Sequence, residues 1–319
     1  MFLPEIKSEP SEDISILIKL DNHSDFYLCE CGQASKLTVK DCQQTAVIFI
    51  SHTHIDHFIN FDTILRHQQG SGKKVIICGP IGIIQQVQSK LTSYTWNLIE
   101  SDAIQYEVRE IIAEQSIERA ILCPPLWQAE KLPPISSKNV YKNDRFEVNF
   151  TILDHKIPSI AYLFKEKDTV SINITKSDFK GGPWINSLKE AFLKQAEEVV
   201  ITIDKTPYSA KDLYHLLEVK KGATLGIIMD HVANEGNHKK INSLFNHTDQ
   251  AFIESFHLAT DINLASKNFH SYSTASGEIM KKCQVKKAIP VHFSRRYSIE
   301  EIASLKREFE IAFQGKGTR

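Results

Sequence analysis

The chain has 319 residues, of which 42% are hydrophobic and 24% charged, the composition of a globular enzyme with room for a sizeable core. Its formal net charge is −1, so no global basic field advertises nucleic acid, and a polyanion would have to be met by a local patch. No apolar stretch approaches the roughly 20 residues of a membrane span, so no membrane partner is expected. Met1 to Asp13 is acidic, carries Pro4 and Pro10, and lacks the basic and apolar segments of a signal peptide. A cytoplasmic location follows as the expectation, with the six scattered cysteines as free thiols.

Ile14–Leu20 and Phe26–Cys29 read as strands of an opening sheet, and Glu30-Cys31-Gly32-Gln33 as a turn. Ala46–Ile50 is a short buried strand. Phe58–Gln68 reads as a helix with Phe58, Phe61, Ile64 and Leu65 on one face. Lys74–Cys78 is a strand, broken by Gly79-Pro80, and Ile81–Leu91 a helix. Phe146–Leu153 and Ile160–Phe164 are strands. Lys165–Leu188 is polar, with Gly181-Gly182-Pro183-Trp184 at its centre, and is expected to project as an arm with little core. Strands follow at Val199–Ile203, Thr224–Met229, Gln250–Ile253 and Lys287–Val291, with helices at Ser273–Cys283 and Ser298–Phe313. The expected fold is a single α+β domain over residues 1–319, a four-layer αββα sandwich of two mixed sheets with helices outside.

The chemistry concentrates where Ala46–Ile50 runs into Ser51-His52-Thr53-His54-Ile55-Asp56-His57. Three histidines and an aspartate in six positions make a poor surface loop. Clustered imidazoles repel one another once protonated, and each ring nitrogen needs a partner when buried. A divalent metal satisfies both demands, and imidazole with carboxylate suits zinc. Further candidate ligands recur just after apolar runs: His155 after Thr151–Asp154, Asp230 after Leu225–Met229, and His292 after Ala288–Val291. Strands that end in a ligand can converge on one edge of a sandwich.

The His-x-His-x-Asp-His stretch resembles the signature of the metallo-β-lactamase superfamily. Other segments resemble its ribonuclease Z branch, the tRNA 3′-endonucleases. Leu153-Asp154-His155-Lys156-Ile157-Pro158-Ser159 looks like that family's His-x-x-Pro-Ser stretch, and Phe252-Ile253-Glu254-Ser255-Phe256 its His-Glu-Ala-Thr-Phe segment. Phe269-His270-Ser271 is similar to its His-Ser/Thr element, and Val291-His292-Phe293-Ser294-Arg295-Arg296-Tyr297 to its His-Phe-Ser-x-Arg-Tyr ending. Glu30-Cys31-Gly32-Gln33-Ala34-Ser35 stands where the family has Asp-Cys-Gly-Glu-Gly-Thr. The Gly-Gly-Pro-Trp stretch is similar to the arm with which the family grips tRNA.

This resemblance implies a di-metal hydrolase carrying two divalent ions, zinc with manganese as the alternative. His52, His54 and His155 would hold the first; Asp56, His57 and His292 the second; Asp230 would bridge. Asp56 would also belong to the catalytic set, with His270 as general acid and Glu254 orienting it. Ser294 and Arg295 would contact phosphate. Precursor tRNA is the expected substrate, and a homodimer an expected assembly. Two alternatives stay open: hydrolysis of a small ester or cyclic phosphodiester, and a metal-bound RNA-binding scaffold with little turnover.

Overall fold

The computed structural model describes residues 1–173 and 176–315. By its contacts the chain divides into two compact units, residues 1–165 with 224–319, and residues 166–223.

In the larger unit, one sheet takes its strands in chain order: β1 (Phe2–Ile6), β2 (Ile16–Leu20), β3 (Phe26–Cys29), β4 (Thr45–Phe49), β5 (Lys73–Pro80), β6 (Ile104–Ala113), β7 (Ser116–Leu122) and β8 (Ala129–Ile135). The second contains β9 (Asn139–Lys142), β10 (Phe146–Asp154), β11 (Pro158–Glu166), β16 (Thr224–Ile228), β17 (Gln250–Glu254) and β18 (Lys287–Val291). Their spatial order is β18-β17-β16-β11-β10-β9. Both sheets mix parallel and antiparallel pairs; β3 to β6 run parallel, as do β16 to β18.

Alternation along β4 explains the layering, because successive strand side chains point to opposite faces. Phe49 faces the other sheet, where its ring meets Tyr162 at 5.2 Å and Phe164 at 5.0 Å between centroids. Phe2 and Tyr27 reach Phe146 in the same interlayer, at 5.5 and 4.9 Å. Ile48 and Ile50 point the other way, into a core shared with α3 (Phe61–Gln68) and α4 (Ile83–Thr92). On the far side Leu153, Ile228 and Ile253 pack with α7 (Glu235–Phe245), α9 (Ser273–Lys282) and α10 (Ile299–Gln314). The order of layers is therefore helix, sheet, sheet, helix, as expected.

Several elements differ from the sequence reading. The helix expected over Phe58–Gln68 is two pieces, α2 (Ile55–Phe58) and α3, separated at Ile59 and Asn60. α2 begins inside the histidine loop because His54 C=O accepts the His57 N–H at 3.1 Å. Strands β1 and β6–β9 and helices α1 (Val39–Gln44), α7 and α8 (Ile262–Asn268) have no counterpart in that reading. The six cysteines are free, as expected.

The smaller unit has its own core. β12 (Thr169–Ile172) pairs with β15 (Leu217–Lys220), and β13 (Val200–Ile203) with β14 (Thr206–Ser209), both antiparallel. Helices α5 (Trp184–Leu193) and α6 (Ala210–Leu213) pack with them. Trp184 and Leu188, four apart on one face of α5, are buried against Ile201, Ile203, Leu213 and Leu216. This corrects the expectation that Lys165–Leu188 supplies little core: its apolar partners come from residues 201–216, past the boundary read from sequence. Residues 174 and 175 of that expected arm lie outside the described residues.

Candidate metal centre

Strand ends build the site. β16, β17 and β18 are parallel and in register, with Ile228 beside Ile253 and Glu254 beside Val291. Parallel neighbours deliver their C-terminal ends to the same edge, which is where open sheets of this kind place ligands. Asp230, Glu254 and His292 therefore emerge side by side. β10 adds His155, and β4 adds the loop from His52 to His57.

The six other expected ligands come together around Asp230. One of its oxygens, Oδ2, lies 3.7 Å from His52 Nε2 and 3.6 Å from His155 Nε2. The other, Oδ1, lies 3.4 Å from His57 Nε2 and 3.1 Å from His292 Nδ1. His54 Nδ1 is 3.0 Å from His52 Nε2. Asp56 Oδ2 is 3.7 Å from His57 Nε2 and 3.4 Å from His292 Nε2. Their donor atoms form two groups, His52-His54-His155-Asp230 and Asp56-His57-His292, and a third group, Asp230-Glu254-His270-His292, shares a residue with each.

These residues fit a cation on physical grounds. Among the described residues His57 Nε2, Asp230 Oδ1 and His292 Nδ1 are buried polar atoms with no hydrogen-bond partner, all at one point. Such atoms are costly to leave bare, and a metal bound between them removes the cost. Charge is already polarised there. Burial alone would raise the Asp230 carboxyl, but the imidazoles of His292 and His57 outweigh it and hold the group well below the usual carboxylate range. Burial, reinforced by His57, pushes His52 down to about 2, so its imidazole is neutral, the form that binds metal.

Three of the candidate ligands, His52, His57 and His155, have a second contact on the other ring nitrogen, of the kind that sets tautomer and orientation. Ser51 Oγ lies 3.0 Å from His52 Nδ1. His155 Nδ1 donates to the Phe269 carbonyl at 2.7 Å. His57 Nδ1 donates to Glu30 Oε2 at 3.1 Å, while Glu30 Oε1 accepts the Ser51 N–H at 2.9 Å. Glu30, Phe269 and His292 all sit at positive φ, as does Lys156 beside His155. Non-glycine residues are held there only where the surroundings impose it, and such residues cluster at functional sites. Gly32 shows how tight the packing is: a Cβ there would lie 2.5 Å from Asp13 Cβ and 2.6 Å from the Asp56 carbonyl.

Glu30, expected in a turn, is a further candidate for the site through its bonds to His57 and Ser51. Its signal is the one that found the others, a polar residue ending the apolar run Phe26–Cys29.

Glu254 and His270 are also together. His270 Nδ1 makes a short hydrogen bond to Glu254 Oε1 and lies 3.6 Å from Asp230 Oδ2. The fully buried Glu254 takes further bonds from the His231 N–H at 2.9 Å and the Ser271 N–H at 3.3 Å. Burial pulls His270 down, but Glu254 and Asp230 more than reverse this and raise it to about 9. The Arg295 side chain is 62% exposed, and its guanidinium is ion-paired with the buried Asp13. Ser294 is buried and donates its N–H to the Phe256 carbonyl at 3.0 Å. His257, read as a packing or surface residue, is buried, with Nδ1 3.3 Å from Tyr297 Oη.

Two mixed sheets between helices, with His and Asp side chains gathered at strand ends, define a protein of metallo-β-lactamase fold. The metallo-β-lactamase fold protein YhfI from Bacillus subtilis aligns over 98% of this chain and 92% of its own, at TM-score 0.58 and 13% identity. The short form of human tRNase Z aligns over 93% of each chain, at TM-score 0.55 and 17% identity. In sequence the chain is similar to ribonuclease Z of Deinococcus radiodurans, 22% identical over 309 residues that span 93% of this chain and 91% of that protein. No family model matches the chain. The resemblance to ribonuclease Z carried by separate motifs thus extends over nearly the whole length. Among the described residues no helix is long and apolar enough to cross a membrane.

Proposed function

We propose that this protein is a metal-dependent phosphodiesterase of the ribonuclease Z kind that cleaves precursor tRNA at the 3′ end. The observation that carries the proposal is the convergence of six donor residues on a seventh, Asp230, with three unpartnered buried atoms among them, beside a carboxylate–imidazole pair.

His52, His54 and His155 with Asp230 would hold one cation, and Asp56, His57 and His292 with Asp230 the other. Zinc suits the imidazole and carboxylate donors, with manganese as the alternative. When bound, the cations supply Lewis-acid charge for the phosphate oxygens and acidify the attacking water. Asp56, 36% exposed at the rim of its donor group, would accept a hydrogen bond from the attacking water and orient it. His270 carries a proton at neutral pH and gives it to the leaving 3′-oxygen. Glu254 holds His270 through Nδ1, leaving Nε2 as the donating edge. Ser294 and Arg295 contact the substrate phosphate, Arg295 with its guanidinium held by Asp13.

One observation favours a second reading, hydrolysis of a small ester or cyclic phosphodiester. Residues 166–223, which include the arm-like Gly-Gly-Pro-Trp stretch, contain nine lysines, nine acidic residues and no arginine. A surface that grips RNA through its phosphates needs net positive charge.

Incubating the zinc-loaded protein separately with precursor tRNA and with bis(4-nitrophenyl) phosphate tests these readings. Cleavage of both supports the first. Cleavage of only the nitrophenyl ester supports the second, and cleavage of neither leaves a metal-bound scaffold.

A further inference from the structure

Residues 255–257, just past β17, tie together the loops that carry His270 and His292. The Ser255 N–H donates to the Val291 carbonyl at 2.9 Å, and the Ser294 N–H to the Phe256 carbonyl at 3.0 Å, which fixes the segment to the His292 loop. The His257 N–H donates to the Ser271 carbonyl at 3.3 Å, and the Ser273 N–H to the His257 carbonyl at 2.9 Å, which fixes it to the His270 loop. The half-buried Phe256 side chain lies at the centre of this bridge. Its ring is face-on to the His270 imidazole, with 3.8 Å between centroids and 8° between planes. It lies 5.1 Å and 30° from the His292 ring. His155 meets His270 edge-on instead, at 4.8 Å and 60°.

The His270 ring turns about its Cα–Cβ and Cβ–Cγ bonds, and the hydrogen bond from Nδ1 to Glu254 restrains that turning at one edge only. Flat contact across a whole face removes this freedom. We infer that Phe256 is a positioning residue for His270: its stacked ring locks the imidazole plane, so that the edge opposite Glu254 is presented to the leaving oxygen of the substrate. The inference rests on the phosphodiesterase reading above. Leucine fills similar volume but offers no flat face, whereas tyrosine keeps one.

The test compares Phe256→Leu and Phe256→Tyr with the parent protein, each zinc-loaded, on a short RNA oligonucleotide and on bis(4-nitrophenyl) phosphate. Zinc content and the ring-proton NMR shifts of His270, assigned with His270→Ala, are measured alongside. For the oligonucleotide, Phe256→Leu should lower kcat about 10-fold or more with KM within about two-fold. Its zinc content should not change, and hydrolysis of the nitrophenyl ester, whose leaving group needs no proton, should stay within about two-fold. Phe256→Tyr should behave as the parent on both substrates. The His270 protons should lose their upfield ring-current shift in the leucine variant and keep it in the tyrosine variant. Equal slowing on both substrates, or parental kcat on RNA in Phe256→Leu, would overturn the inference. If the parent cleaves neither substrate, the phosphodiesterase reading fails by itself and the NMR shift decides: an unchanged shift in the leucine variant means that Phe256 does not hold the ring.

Discussion

Asp230 turns one oxygen toward His52 and His155 and the other toward His57 and His292. Asp230→Ala should therefore weaken uptake of both zinc equivalents, measured by metal analysis after reconstitution, whereas loss of any single histidine should touch one. His270→Ala removes no proposed ligand. It should keep its metal yet lose about 10²–10⁴-fold in turnover of RNA, with a smaller loss on nitrophenyl esters. Glu30 acts at one remove. Glu30→Gln keeps the shape but weakens the charge-assisted bond to His57 Nδ1, so zinc affinity should fall about 10–100-fold in chelator competition. These roles are unequally legible in sequence. His52, His54, Asp56 and His57 declare themselves because one tight turn needs all four ring and carboxylate groups within six residues. Glu30 does not, since its partner His57 lies 27 residues on.

Strands β16 to β18 were readable because parallel strands covered on both faces are nearly continuous apolar runs. Strands β6 and β7 were not, because they carry charge inside the sheet. The side chain of Glu107 on β6 is 1% exposed and bonds Lys74, Arg109 and Arg119 on three adjacent strands. Burial alone would raise its carboxyl, but these three cations bring it from 4.5 down to about 2. A carboxyl depressed by folding contributes stability that is fully present above the unfolded value and is lost as pH falls through the folded one. Urea unfolding should therefore show an acid loss between about pH 4.5 and 2 to which Glu107 contributes, and Glu107→Gln should flatten that slope. At neutral pH, Glu107→Ala should cost about 3 kcal/mol, because it strands partly buried guanidinium groups.

At the scale of the molecule, Lys165 and Thr224 pair directly across β11 and β16, so residues 166–223 leave and rejoin the larger unit at neighbouring points. Replacing 166–223 by a short turn should leave a folded, zinc-binding body that still cleaves bis(4-nitrophenyl) phosphate. Binding of precursor tRNA, measured by gel shift, should weaken; unchanged binding would remove these residues from the RNA-contacting surface. The sequence by itself determined the αββα layering and the central strand runs, and it singled out the candidate donors, because apolar periodicity and ligand chemistry are written locally, a few residues at a time. Only the tertiary structure decided that residues 166–223 gather a core of their own, that Asp13 holds Arg295, and that Glu30, the Phe269 carbonyl and Phe256 brace the histidines. Most of those contacts join positions 27 to 282 residues apart, and what meets across such distances is fixed by packing of the sheets, which no local pattern encodes.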